Sequence, residues 1–463
     1  MVGYQLRINT KVILYYDKGS IIISGINQIP HSLIDPRTNQ LRALALHYQD
    51  IITYLQNSEI RYEDNVMDLI PIQNLIMENS NLSLRPYQKK AIENWINAGK
   101  KGCMILPTGS GKTIIAIKLI EIINSSTLIV VPTLDLMEQW TIFLSKYFPK
   151  IEIGNIGGGV FNVNGISVST YDSAYIRSSF LGNKFNFVIF DELHHLAAPG
   201  YRTIAEQLAS PYRLGLTATY EREDSLHMDF PRLVGGIVYQ STINELARGK
   251  HLASFTVEKR YVKLLPEEEI EYQKNYNQYL SYLRTLGIKY SQLGLQKLIM
   301  ISGKNQNARN ALLARNKAFD IALNSQSKIE ELAKILTENS DKKTIIFTQH
   351  NKLVYLISDR FLIPFITHKS NKQEREDALN GFREGRYRVL VTSKVLDEGV
   401  DVPDAELGII VSGSGSKREF IQRLGRLLRI KPNSKNAKLI EIISSGTSEI
   451  NTSIRRKQAL KNI

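Results

Sequence analysis

A glycine-rich turn between two apolar segments constrains the fold of this chain more than any other feature of its sequence. The segment PTGSGKT, residues 107–113, follows the apolar run 103–106 and opens the apolar run 113–123. A strand, a tight turn and a helix in this order direct backbone N–H groups and the positive end of the helix dipole at one point. The sequence therefore predicts a phosphate-binding loop, with Lys112 as a cation for the phosphates and the Thr113 hydroxyl as a ligand of Mg²⁺. The loop comprises Gly109, Ser110, Gly111, Lys112 and Thr113, and Leu106 stands where the full pattern has glycine.

The composition favours a multidomain protein with a polyanionic partner. With 463 residues the chain is too long for one hydrophobic core, so two or three domains are expected. The formal net charge of +14 suggests nucleic acid as the partner, although a generally basic proteome gives the same balance. No apolar run approaches the roughly 20 residues that span a bilayer, so we expect no membrane partner. The single cysteine, Cys103, and the lack of a signal-peptide pattern at residues 1–9 predict a reducing, cytoplasmic location.

Apolar runs and helical stretches divide the chain into three predicted regions. Residues 1–80 are typical of a small α+β module, with strands at 12–16 and 21–24 and a helix at 43–56. Residues 81–250 alternate strands and helices, the pattern of a parallel sheet covered by helices, with strands at 103–106, 127–131, 166–170, 187–190 and 212–216. Residues 251–463 repeat this alternation, with strands at 344–347, 388–391, 407–411 and 438–443 and a helical insertion at about 265–335.

Two carboxylates follow the apolar run 187–190. Asp191 stands where a second contact to Mg²⁺ belongs in a phosphate-loop NTPase, and Glu192 next to it can orient and deprotonate the attacking water. An Asp-Glu pair after a strand is weak evidence alone, and its distance of about 80 residues from the phosphate loop strengthens it. We interpret His194 and His195 as relay or packing residues, because a zinc site needs more ligands at workable spacing.

Two arginines three residues apart lie in the second alternating region. Arg426 and Arg429 share one face if the segment is helical, and could stabilise negative charge on the γ-phosphate as arginine fingers. A solvent-exposed basic helix face is the alternative. Fingers from one domain and a phosphate loop from the other would couple hydrolysis to domain closure, which is the physical basis of a motor.

The segment 274–317 is basic and lacks acidic residues. It includes Arg284, Lys289 and Lys297, which we predict to contact a phosphate backbone. Tyrosines interleaved with the first of these cations could stack on bases. Alternatively the tyrosines at 272, 276 and 279 form one face of a helix and simply pack.

The motifs together resemble those of superfamily 2 helicases, whose order they follow over roughly residues 84–430. The resemblance implies an α/β fold of two RecA-like lobes with parallel sheets. It also implies that Gln88 reads adenine, that Thr170 lies on a loop that grips nucleic acid, and that Gly399 and Asp401 lie near ATP.

Within that superfamily the chain most resembles the compact archaeal XPB proteins. The triplet Arg222, Glu223 and Asp224 follows the motif Thr217-Ala218-Thr219, and in XPB proteins such a triplet is implicated in opening duplex DNA. The basic helical insertion corresponds in position to the thumb-like element of that family, and residues 1–80 resemble its damage-recognition-like module. The resemblance implies 3′→5′ movement on DNA, a role in nucleotide excision repair or transcription, a nuclease partner, and a monomer or heterodimer.

Two other functions fit parts of the sequence. The chain could be an ATP-switched scaffold that binds DNA and recruits a nuclease while unwinding little. It could also be the motor of a restriction system or a viral helicase, although the triplet and the N-terminal module count against this. An RNA helicase of the DEAD-box group is less consistent with the sequence, because His194 stands where that group has aspartate.

Overall fold

The computed structural model describes residues 11–72, 75, 83–222, 224–249, 255–393, 405–413 and 437–461, which belong to two units, residues 1–242 and 243–463. The first unit begins with a sheet whose strands lie in the order β3-β4-β2-β1-β5. These are β1 (Val12–Asp17), β2 (Ser20–Ser24), β3 (Ser32–Asp35), β4 (Gln40–Leu44) and β5 (Tyr62–Asn65), with α1 (Tyr48–Asn57) between the last two. The helix predicted at 43–56 begins later than predicted, at Tyr48. Residues 43 and 44 belong to β4, in which Leu41 and Ala43 are buried and the residues beside them are not, as in a strand with one covered face.

The second sheet of this unit is parallel except for its edge strand β9. Its order is β13-β6-β12-β11-β7-β10-β8-β9 within the described residues. The strands are β6 (Lys101–Ile105), β7 (Thr127–Val131), β8 (Ile153–Gly157), β9 (Val160–Phe161), β10 (Ile166–Thr170), β11 (Phe187–Asp191), β12 (Tyr212–Thr217) and β13 (Ile237–Gln240). The helices of this layer are α2 (Pro86–Asn97), α3 (Lys112–Ile123), α4 (Leu134–Tyr147), α5 (Tyr171–Leu181), α6 (Arg202–Gln207) and α7 (Phe230–Leu233). Central strands are buried on both faces, as expected for a parallel sheet covered by helices.

The small N-terminal sheet is docked firmly on this second sheet layer. The hydroxyl of Tyr16 donates to the carbonyls of Ser179 and Gln207, at 3.0 and 3.1 Å. The amide of Asn183 donates to the carbonyl of Val66 at 2.9 Å. Ala209, from the segment before β12, also packs in the hydrophobic core of the N-terminal sheet. Residues 11–72 and the sheet that follows therefore share packing rather than a flexible tether.

The second unit contains a six-stranded parallel sheet of order β14-β19-β18-β15-β17-β16, counted over the described residues. Its strands are β14 (Phe255–Val262), β15 (Thr344–Phe347), β16 (Phe365–Ile366), β17 (Val389–Thr392), β18 (Leu407–Ile410) and β19 (Ala437–Ser444). Its helices are α8 (Ile243–Arg248), α9 (Pro266–Thr285), α10 (Gln292–Ser302), α11 (Gln306–Leu323), α12 (Gln326–Glu338), α13 (Asn351–Phe361), α14 (Lys372–Glu384) and α15 (Glu449–Lys461). Helices α9, α10 and α11 pack on one another, whereas α12 packs on the sheet through Ile329, Leu332 and Ile335.

A buried charge pair holds the second sheet to its helices. The ammonium of Lys328, on α12, donates to the carboxylate of Glu449 at 2.7 Å and to the carbonyl of Val411 at 2.8 Å. Both charged side chains are almost completely buried, so each depends on the other for compensation.

The α/β class with two RecA-like lobes, predicted from the motifs, is confirmed. The domain limits 1–80, 81–250 and 251–463, and the extent of the insertion, stay predictions. No helix among the described residues combines the length and the apolar character that crossing a membrane requires.

Candidate functional site

Three adjacent strands bring the predicted motifs of the first unit to one edge of the sheet. Strand β12 lies between β6 and β11, with Thr217 opposite Ile105 and Leu216 opposite Asp191. All three strands are parallel, so the segments that follow them leave the sheet side by side. Ligands of open α/β sheets bind at this carboxyl edge. The phosphate loop, the Asp-Glu pair and the triplet therefore lie on neighbouring segments.

The phosphate loop begins one residue later than the full sequence pattern suggests. Leu106 is fully buried, and its N–H donates to the carbonyl of Thr217 at 2.9 Å, so this residue extends β6. Gly109 and Gly111 have φ angles of +81° and +82°, which only glycine adopts without strain. A side chain at Gly111 would also place its Cβ 2.7 Å from the amide nitrogen of Gln88. Glycine at 111 is thus required by the backbone and by the neighbour.

The loop carries polar groups that suit a phosphate. Lys112 opens α3, and its ammonium donates to the carbonyl of Leu106 at 3.3 Å. The hydroxyl oxygens of Thr108 and Ser110 are buried without a hydrogen-bond partner. Buried polar groups are normally paired, so these two are suited to pairing with a ligand. The residues present therefore fit the triphosphate of a nucleotide.

Gln88 and Tyr87 brace the phosphate loop from α2. The carboxamide nitrogen of Gln88 donates to the carbonyl of Ser110 at 3.1 Å, and its oxygen accepts from the N–H of Arg85 at 2.9 Å. The hydroxyl of Tyr87 donates to the same Ser110 carbonyl. Gln88 is buried and holds the loop through this hydrogen bond. The reading of adenine by Gln88 stays a prediction.

Asp191 ends β11 in a buried polar environment. One carboxylate oxygen accepts from the indole N–H of Trp140 at 2.9 Å, and the other accepts from the N–H of Glu192 at 3.0 Å. Burial, and then the negative charge of Glu192, raise the pKa of Asp191 to about 6, against the opposing effect of Lys112 and Trp140. Trp140 was not anticipated from the sequence; its only signal was that it is one of two tryptophans and lies on the helix after β7.

Glu192 adopts a strained backbone conformation beside Asp191. Its φ of +47° is left-handed, which costs about 1–3 kcal/mol for a non-glycine residue and persists only where neighbours enforce it. A carboxylate oxygen of Glu192 lies 3.5 Å from Nδ1 of His194, whose side chain is buried. Strain of this kind is typical of functional sites. Glu192 therefore lies at the same sheet edge as the phosphate loop, with its carboxylate beside His194.

Arg222 of the triplet contacts the segment that follows the Asp-Glu pair directly. The guanidinium of Arg222 donates to the carbonyl of His194, and it forms a two-bond fork with the carboxylate of Asp224, at 3.0 and 2.6 Å. The hydrogen bonds from Arg222 lower the pKa of Asp224 to about 2. The hydroxyl of Thr217 accepts from the N–H of Thr219 at 3.1 Å, which closes the turn before the triplet.

Thr170 serves the helix that follows it. Its hydroxyl accepts from the N–H of Ser173 at 3.2 Å and so caps the start of α5, and its side chain is largely buried. A contact between Thr170 and nucleic acid stays a prediction.

The insertion separates buried tyrosines from exposed cations. Tyr272 and Tyr279 are each 1% exposed and pack within the helices, so the alternative of helix packing is correct for both. Tyr290 is about half exposed, at 49%. Three cations of this segment, here called the insertion cations, are exposed: Arg284, Lys289 and Lys297.

Some predicted residues lie outside the part of the chain that the structure describes. These are Glu223 of the triplet, Gly399 and Asp401 of the second alternating region, and the proposed fingers Arg426 and Arg429.

The fold and this site define the class of protein: a nucleotide-binding protein with two RecA-like lobes of the helicase type. Family models match residues 81–222 (type III restriction enzyme, res subunit), residues 327–431 (helicase conserved C-terminal domain) and residues 14–66 (xeroderma pigmentosum group B helicase damage recognition domain). The DNA 3′-5′ translocase XPB2 of Sulfurisphaera tokodaii is 48% identical over 417 residues, which cover 90% of this chain and 93% of that protein. The chain therefore belongs to the XPB family of helicases and translocases.

A more distant relative and a solved structure are also similar to this chain. A putative DNA 3′-5′ helicase Rad25 of Haloarcula marismortui is 30% identical over 80% of this chain, and the match covers 53% of that longer protein. The crystal structure of the Pyrococcus furiosus Hef helicase domain superposes with a TM-score of 0.58 at 19% identity, covering 83% of this chain and all of that one. The second similarity concerns the fold alone.

Proposed function

We propose that this chain is an ATP-dependent DNA translocase or helicase that moves 3′→5′ and opens duplex DNA. The observation that carries the proposal is the convergence of the phosphate loop, the Asp191–Glu192 pair and the triplet at one sheet edge. Membership of the XPB family supports the polarity and the DNA substrate, since relatives are named for 3′-5′ translocation on DNA.

Each residue of the ATP site has a proposed role. The loop residues Gly109, Ser110 and Gly111 would hold the phosphates through backbone N–H groups, and Lys112 would add a cation. Thr113 and the ionised carboxylate of Asp191 would hold Mg²⁺, which when bound neutralises phosphate charge and orients the γ-phosphate. Glu192 would accept a proton from the attacking water.

The remaining assignments concern groups around this centre. Gln88 would read adenine, Gly399 and Asp401 would lie near the nucleotide, and Arg426 and Arg429 would stabilise charge on the transferring phosphoryl group. The insertion cations, Thr170 and the triplet Arg222, Glu223 and Asp224 would serve DNA binding or strand separation. Cationic contacts to phosphates are sequence-independent and weaken steeply with salt.

We also propose the cellular setting that the sequence suggested. The protein would act in nucleotide excision repair or a transcription-related process, in the cytoplasm and near the nucleoid of a prokaryotic cell. It would be a monomer or form a heterodimer with a nuclease. The match of residues 14–66 to a damage recognition domain supports the repair role.

Steady-state ATPase activity tests the proposal. Wild type and Lys112→Ala are compared without nucleic acid, with forked duplex DNA and with single-stranded RNA. Strong stimulation by the DNA fork, lost in the variant, is the expected result, and unwinding of 3′- and 5′-tailed duplexes then tests the polarity. Stimulation by RNA instead of DNA would contradict the DNA helicase function. Hydrolysis indifferent to both would favour the ATP-switched scaffold that recruits a nuclease.

A further inference from the structure

Arg222 links two segments that the sequence assigned to different tasks. The triplet was assigned to DNA and the Asp-Glu pair to ATP, yet the guanidinium of Arg222 donates to the carbonyl of His194, two residues beyond Glu192. The same guanidinium forms its fork with Asp224 through two other nitrogens. All three of its nitrogens are therefore engaged within the protein.

The geometry leaves Arg222 poorly placed to act as a simple phosphate contact. Its side chain is only 23% exposed, and its charge is already compensated by Asp224 at 2.6 Å. A planar guanidinium can hold a carboxylate and a carbonyl at fixed angles, which a lysine ammonium cannot do. The side chain is thus suited to fixing the position of one segment relative to the other.

The segment held by Arg222 determines the direction of Glu192. Glu192 has a left-handed backbone, and its carboxylate lies against the buried ring of His194. The N–H of His195 donates to the carbonyl of Glu192 at 3.0 Å, so the turn behaves as one short unit. A displacement of the His194 carbonyl would therefore displace the Glu192 carboxylate.

We propose that Arg222 is a positioning residue that couples the turn carrying Arg222 and Asp224 to Glu192, so that DNA binding to the protein aligns the residue that activates water. This inference rests on the proposed function and refines it. Arg222 acts through the His194 carbonyl, while Asp224 holds the guanidinium in the required plane. DNA stimulation of hydrolysis then depends on the two hydrogen bonds between the Arg222 guanidinium and Asp224, and not on the positive charge of Arg222 alone.

The variant Arg222→Lys separates the two roles, because it keeps the charge and loses the fork. We expect kcat at saturating forked DNA to fall about tenfold or more. The KM for ATP, the DNA dissociation constant with its salt dependence, and the melting temperature should stay close to those of wild type. A variant that retains kcat, or whose loss in kcat follows a loss of DNA affinity, would overturn the coupling role.

A double variant tests whether Arg222 acts through Glu192. On the background of Glu192→Gln, adding Arg222→Lys should produce no further loss of hydrolysis, since the group it positions is already gone. Multiplicative losses would show that Arg222 acts independently of Glu192 and would refute the inference. If wild type itself showed no DNA-stimulated hydrolysis, the proposed function would fail first, and the two failures are thus distinguishable.

Discussion

The pKa of Asp191 gives a direct measure of the electrostatics of the ATP site. The rise from 3.8 to about 6 is roughly two pKa units, which corresponds to about 3 kcal/mol favouring the protonated carboxyl in the folded protein. Burial is the largest cause and the charge of Glu192 is the second, while Lys112 opposes both. We therefore expect Glu192→Gln to lower the pKa of Asp191 and Lys112→Ala to raise it.

Trp140 is a built-in probe for this titration. Its indole N–H donates to the carboxylate of Asp191, so its emission should change as that group gains a proton. We expect a transition with a midpoint near pH 6 in the nucleotide-free protein, shifted in opposite directions by the two variants above. Trp95 is the other tryptophan and donates to a backbone carbonyl, so it supplies a constant background, which a Trp140→Phe variant measures.

The control and the linked stability change sharpen this test. Asp191→Asn must abolish the transition. The folded pKa lies above the unfolded value, so the contribution of this group to the free energy of unfolding is highest below pH 3.8 and falls as the pH rises through 6. The free energy of unfolding of Asp191→Asn, measured relative to that of wild type, should therefore increase by up to about 3 kcal/mol between pH 4 and pH 7. A midpoint below about pH 4.5, or one that Glu192→Gln leaves unchanged, would refute the reasoning.

Three other predictions concern the loop, the second unit and the DNA surface. Gly111→Ala should abolish binding of a fluorescent ATP analogue because its Cβ displaces Gln88, whereas Gly99→Ala, also at positive φ but facing open space, should bind normally; equal losses would contradict this. Lys328→Met should lower the free energy of unfolding of the second unit by about 3–5 kcal/mol by leaving Glu449 buried alone, and adding Glu449→Gln should recover part of it; chemical denaturation measures both. Replacing the three insertion cations with glutamine should reduce the slope of log binding constant against log salt for duplex DNA by about 3, and an unchanged slope would remove them from the interface.

The sequence predicted the buried strands better than the edge strands. The strands at 127–131, 166–170 and 344–347 are confirmed to the residue, because strands covered on both faces are continuous apolar runs. β13 and β14 were missed; they lie at the edges of their sheets, and β14 contains Glu258, Lys259 and Arg260. No residue of β13, and none of residues 256–262 in β14, is fully buried, so these strands lack the continuous apolar run on which such predictions depend.

In the site, too, motifs of consecutive residues were predicted from the sequence, whereas contacts between residues far apart in the sequence were not. Local motifs were sufficient to predict the phosphate loop after one parallel strand and the Asp-Glu pair after another, and the structure has β12 between these two strands. The partnership of Trp140 with Asp191 spans 51 residues, and that of Arg222 with His194 spans 28, so neither has a signature in the local sequence. The tyrosine pattern of α9 was compatible with stacking or packing, and only tertiary contacts distinguish these for Tyr272 and Tyr279.

The buried cysteine of β6 makes the chain ready for distance measurements in solution. Cys103 has no exposed surface, and burial raises the pKa of its thiol to about 12, so the reactive thiolate is absent at neutral pH. Because this is the only cysteine in the chain, maleimide dyes would attach solely where new cysteines are introduced. Exposed positions such as Glu93 on α2 and Lys352 on α13 would carry a donor and an acceptor, one in each unit. Energy transfer between them would measure whether the distance between the two dyes changes during the ATP cycle, without any substitution of the native thiol.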